Sequence, residues 1–83
     1  MIRTLKNMPY AQAKVITNAD GSMVLVSYTT PIIFVDGSGL VEEITGLYSM
    51  TTRRHIGAFM KEFGLTYQDA KECFEKNTIL KLW

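Results

Sequence analysis

Residues that carry metal and redox chemistry are almost missing from this chain: Cys73 is its sole cysteine and His55 its sole histidine among 83 residues. A lone cysteine excludes an internal disulfide and a Cys-rich zinc site, fits a reducing compartment, and reads as a small apolar packing residue. One His and one Cys eighteen residues apart lack the spacing of metal ligands, so neither a metal nor a cofactor is expected. Charge of one sign is also scarce. Nine basic and eight acidic residues leave a net charge of +1, evenly dispersed, with no global field to draw nucleic acid or an anionic membrane. No apolar run exceeds five residues, far short of a membrane span, and the first residues lack the apolar stretch of a signal peptide. A cytoplasmic protein without a membrane partner is expected.

What the chain does have is the composition of an ordinary globular domain, 47% hydrophobic and 20% charged, organised as one domain over residues 1–83. At this size only roughly 60 to 65% of the unfolded chain's surface can be buried, so association would help, and a homodimer is a candidate state. The pattern along the chain is α+β. Residues 1–12 have no clean period, and Pro9 disfavours helical geometry at Met8. Val15-Ile16-Thr17, the turn residues Asn18 to Ser22, and the run from Met23 to Tyr28 read as a β-hairpin. Ile32 to Val35, the Asp36-Gly37-Ser38-Gly39 turn and Leu40 to Thr45 read as a second. Together they predict an antiparallel meander of about four strands. Pro31 is tolerable at the first residue of a strand or on an edge.

After Tyr48 the period becomes helical. Ile56, Phe59, Met60 and Phe63 fall at i, i+3, i+4 and i+7, with Gly64 as the stop, and Thr51 or Thr52 is positioned to cap the start. Thr66 to Asp69 has capping-box form, and Tyr67, Ala70 and Phe74 share a stripe. Two short C-terminal helices are therefore expected to pack on the meander, around Val15, Val24, Val26, Ile33, Val35, Ile56, Phe59, Met60, Phe63, Ala70 and Phe74. The tail Thr78 to Trp83 is expected to pair as an edge strand or pack over the core, with Trp83 buried in the chain or in a partner.

Chemistry-bearing constellations are weak. His55 has no Ser, Cys or carboxylate at a telling spacing, and Ser49, Thr51 and Thr52 are better explained by the start of the helix. Asp20-Gly21-Ser22 and Asp36-Gly37-Ser38-Gly39 lack the ligand series of calcium or phosphate loops and read as turns. Glu42 and Glu43 alternate across a strand and so point to opposite faces. Arg53-Arg54 stands out, because two cations in a first helical turn oppose the helix dipole. Pairing with Glu42 or Glu43 is the simpler account; binding a phosphate or a partner's carboxylate is the functional one.

Ser27-Tyr28-Thr29-Thr30-Pro31, followed by Tyr48-Ser49-Met50-Thr51-Thr52-Arg53-Arg54-His55-Ile56 and Phe59, resembles a family of small uncharacterised proteins of phages, plasmids and other mobile elements of Firmicutes, with a "SYxTP" strand and a "YSxTTxxHIxxF" helix start. The resemblance covers roughly residues 13–64. It implies an accessory protein and brings no catalytic residues with it. Small cofactor-free proteins of this class often bind and block a host defence machine, with anti-CRISPR proteins the leading example. The expectation is thus a non-enzymatic inhibitor or modulator that binds a host protein or protein–nucleic acid complex through Arg53, Arg54, Tyr28 and Tyr48. The alternative is a small nucleic-acid-binding module, with the arginines on phosphate and the tyrosines stacking on bases.

Overall fold

β-Branched runs interrupted by Asp-Gly turns build the sheet. In the computed structural model, which describes residues 1–83, strands β1 (Ile2–Arg3), β2 (Ala13–Thr17), β3 (Met23–Ser27), β4 (Thr30–Val35) and β5 (Val41–Ile44) form an antiparallel sheet in sequential order. Helices α1 (Met50–Lys61) and α2 (Tyr67–Lys76) follow. The α+β class, the meander and the two C-terminal helices stand as expected, with one strand more than the four read from the sequence. That extra strand is only two residues long, too short to show a period.

Both hairpin turns are held by an aspartate accepting bonds from the residues after it. Asp20 Oδ1 accepts from the Ser22 N–H and hydroxyl, and Asp36 Oδ1 from the Ser38 N–H and hydroxyl and from the Leu40 N–H. These bonds lower both carboxyl pKa values, because they favour the ionised form.

Register decides which face meets the helices. Val15 pairs with Leu25, Leu25 with Ile33 and Ile33 with Ile44, and all four are buried with Ile56, Phe59 and Met60 of α1 and Ala70 of α2 in one core. A bulge makes Ile32 the extra residue between the Leu25–Ile33 and Val26–Pro31 pairs, so Ile32 and Ile33 are both wholly buried. Val26 is buried, as assigned, at 9% exposure but outside the cluster beneath the helices, whereas the assignment of Val24, only partly buried, is corrected. Their neighbour Leu25 faces the helices, and Val24 and Val26 lie on the other face, because a strand's side chains alternate and Met23-Val24-Leu25-Val26 is apolar at every position. Phe74, 39% exposed, and Phe63, half-buried, sit at the margin. A second bulge places Glu42 between the Phe34–Glu43 and Val35–Val41 pairs. Strict alternation therefore fails there, and both carboxylates are exposed.

The segment left unassigned in the sequence is anchored. Leu5 is wholly buried, and Glu62, whose side chain is 1% exposed, receives Arg3 through both guanidinium nitrogens at 2.7 and 3.2 Å and the Lys6 N–H at 2.9 Å. The tail forms a short bridge beside β5, with the Val41 N–H donating to the Leu80 carbonyl and the Leu82 N–H to the Gly39 carbonyl. Trp83 is half covered: its ring lies 5.7 Å from that of Phe63 and lies against Gly39, where a Cβ would come within 2.8 Å of it. Cys73 is half-buried and donates to the Thr78 carbonyl; burial raises its thiol pKa.

Candidate functional site at the start of helix α1

The two segments that carry the motif resemblance converge where the end of β3 meets the N-terminus of α1. Ser27, the last residue of β3, faces the helix because it pairs across β2 with the buried Ala13. Its Oγ lies 2.7 Å from His55 Nδ1 and 3.1 Å from Thr52 Oγ1. Thr52 Oγ1 accepts from Ser49 Oγ at 3.4 Å, and the Thr52 N–H donates to the same Ser49 oxygen at 3.3 Å. The Thr52 N–H and the hydroxyls of Ser49, Thr52 and Ser27 thus connect in one run to His55 Nδ1; either hydroxyl can donate in the Ser27–Thr52 contact, and the His55 tautomer sets the direction of the last one. Burial lowers the His55 pKa by disfavouring the imidazolium.

Ser49, rather than Thr51 or Thr52, is therefore the N-cap, and α1 begins at Met50. The earlier start moves Arg53 and Arg54 past the first turn, where a cation meets little of the helix dipole. Neither arginine pairs with Glu42 or Glu43; the one ion pair in the chain is Arg3–Glu62. Both guanidiniums are exposed without a side-chain partner.

Chemically, a serine hydroxyl aimed at an imidazole nitrogen is two-thirds of a nucleophilic triad, and sequence reasoning missed it because the pair is 28 residues apart. A polar residue at an inward position of an apolar strand was the available signal. The remaining requirements of that chemistry are not met by the geometry. Ser27, Thr52 and His55 are 2%, 4% and 1% exposed, and no carboxylate orients the imidazole. The chain of hydroxyls holds helix to sheet.

What it holds outward is aromatic. Tyr28 and Tyr48, the neighbours of Ser27 and Ser49, both have left-handed backbone, with φ of 56° and 50°, and are 51% and 54% exposed. The Tyr28 ring stands 5.8 Å from the His55 ring. Tyr48 folds back over Gly46, where a Cβ would come within 2.9 Å of its ring, and donates to Thr45 Oγ1. For a bulky residue the left-handed region costs on the order of 1 kcal/mol or more, and neither side chain recovers that cost by being buried. Beside Tyr28 opens a groove of about 520 Å³ lined by Arg3, Gln12, Ala13, Lys14 and Thr29 among others, with no carboxylate. The structure thus sets Tyr28 and Tyr48 at the two ends of one hydroxyl chain, with Arg53 and Arg54 on the outer side of the helix that chain anchors.

No curated protein and no solved structure matches this chain, and no helix in it is long and apolar enough to cross a membrane. A family model does match, over residues 1–76, and so takes in both motif segments, β1 and all of α2: the chain belongs to a family of unknown function, DUF8033.

Proposed function

We propose that this chain is a non-enzymatic binding protein, an accessory protein of mobile elements that inhibits or modulates a host protein or protein–nucleic acid complex, in the manner of an anti-CRISPR protein on a CRISPR effector. The observation that carries the reading is the pair of strained, half-exposed tyrosines. Backbone strain at side chains left half exposed points to functional surface, and tyrosine and arginine are among the residues that dominate protein interfaces. The sealed Ser27–His55 pair supports the same reading, since its hydroxyl is buried away from any substrate. The mobile-element context rests on the motif resemblance alone.

Affinity for the captured partner tests it. Tyr28→Asn, Tyr48→Asn and Arg53→Ala/Arg54→Ala each remove contact groups, and truncation of interface anchors costs about 2 kcal/mol or more, a loss of roughly thirtyfold. Asn tolerates left-handed backbone, so the tyrosine variants stay folded. Unchanged affinity in all three variants removes this surface from the site. An affinity that falls steeply with salt and follows nucleic acid supports a nucleic-acid module instead.

A further inference from the structure

The helices cover one face of the sheet; the other carries an uninterrupted apolar row. Ile2 pairs with Ile16, Ile16 with Val24 and Val24 with Phe34, and the row ends on β5 at Glu43. Directly paired residues point the same way, so these four apolar side chains stand side by side across four strands. Ile2 is 65% exposed, and Ile16, Val24 and Phe34 are partly exposed. A solvent-facing antiparallel sheet normally reads polar on its outer side. This one is apolar at the centre with charge at the two margins, the anatomy of an interface.

From this we infer that the open sheet face is a self-association surface, its occupant a second copy of this chain packed face to face about a two-fold axis parallel to β3. The charges select that occupant and that axis. Lys14, paired with Val26 and exposed, lies on the same face on the β2 side, and Glu43 lies on the β5 side; neither is engaged in an ion pair. A two-fold along β3 lays the cationic side of one copy over the acidic side of the other, and it does so twice. With strands about 4.8 Å and sheets about 10 Å apart, Lys14 and Glu43 of the second copy come to roughly 13 Å between Cα atoms, within reach of two extended side chains. An axis across the strands would instead stack Glu43 on Glu43. The contact is isologous and closes at two copies.

Its strength follows from its size. The five strands, of two, five, five, six and four residues, give a footprint of roughly 360 Å² per copy at about 3.4 Å per residue and 4.8 Å per strand, less than half that of a standard stable interface. The dimer is consequently weak, concentration-dependent and salt-sensitive.

Sedimentation equilibrium of the purified chain up to about 500 µM, a range suited to an interface of this size, tests the inference, with circular dichroism checking the fold of each variant. The unaltered chain is expected to dimerise. Val24→Lys should abolish association, and Lys14→Glu or Glu43→Lys alone should weaken it roughly tenfold, because each reversal makes two repelling contacts. Mixing the Lys14→Glu and Glu43→Lys chains should restore a heterodimer, since both contacts are again of opposite sign. The charge variants sit on exposed positions and keep the test open if Val24→Lys fails to fold. A chain that stays monomeric throughout, or a mixture that associates no better than its components, overturns the inference. It is independent of the tyrosine and arginine surface, whose failure would show in partner affinity and leave this equilibrium unmoved.

Discussion

Replacing Ser27 by alanine tests the hydroxyl chain at its centre. The change removes one oxygen and with it two contacts, 2.7 Å to His55 Nδ1 and 3.1 Å to Thr52 Oγ1. Thr52 keeps its bond with Ser49, but Nδ1 loses its partner within a residue only 1% exposed. A buried polar atom left unsatisfied costs about 1 to 3 kcal/mol, so about 2 kcal/mol is expected, a fall in Tm of roughly 10 °C for a domain of this length. Urea unfolding followed by circular dichroism should show a lower midpoint with an unchanged m value. The companion variant is Ser27→Ala with His55→Leu. Removing both partners together is close to neutral where the shape is kept, so the double variant should recover at least half of the loss. A Ser27→Ala cost below about 0.5 kcal/mol, the size of an ordinary surface change, would refute the reasoning, as would a double variant whose loss is simply the sum of the two single ones.

Three further outcomes follow from the same geometry. Because burial holds the folded His55 pKa below its ordinary value of 6.5, the unfolded chain binds the proton first as pH falls. The stability from neutral His55 is thus complete above about pH 6.5 and lost as pH drops through the folded pKa; urea midpoints across pH 7.5 to 4.5 should fall in the unaltered chain and stay flatter in His55→Gln. Glu62→Ala strands Arg3 and the Lys6 N–H beside a carboxylate site that is 1% exposed, and should cost about 3 kcal/mol in denaturant unfolding; a cost under 1 kcal/mol would show that the first strand is not anchored there. Tyr48→Gly relieves left-handed strain, with only an exposed hydrogen bond to Thr45 lost, and should leave Tm unchanged or raise it by a few degrees, so a clear fall in Tm would make Tyr48 a structural residue.

Local chemistry made much of the fold legible. The Asp-Gly turns, the β-branched runs between them and the helical spacing of Ile56, Phe59 and Met60 are each read from a few adjacent residues, and each lies where the sequence puts it. Three features depend on partners distant in the chain and were not legible. Strand β1 exists only because Ile2 and Arg3 meet Ile16 and Val15. The phase of β3 could not be chosen from a run that is apolar on both faces, and the same ambiguity is what leaves Ile16, Val24 and Phe34 open to a second copy. The Ser27–His55 contact bridges two elements, and Thr51 and Thr52 offer the same capping chemistry as Ser49 two and three residues later, so the sequence does not choose among them. Of the candidate site, Tyr28, Tyr48, Arg53 and Arg54 are candidates on sequence alone, but the backbone strain at the tyrosines is not legible there, since nothing in a sequence marks a tyrosine held at positive φ.

The central claim, binding through the surface at the start of α1, is tested most directly by affinity capture from a host lysate treated with nuclease, run in parallel with the unaltered chain and the chain carrying Tyr28→Asn, Tyr48→Asn, Arg53→Ala and Arg54→Ala. The account predicts a stoichiometric protein partner that survives nuclease and is lost with the altered chain. Recovery of the same partner by both chains, or of nuclease-sensitive material alone, would contradict it.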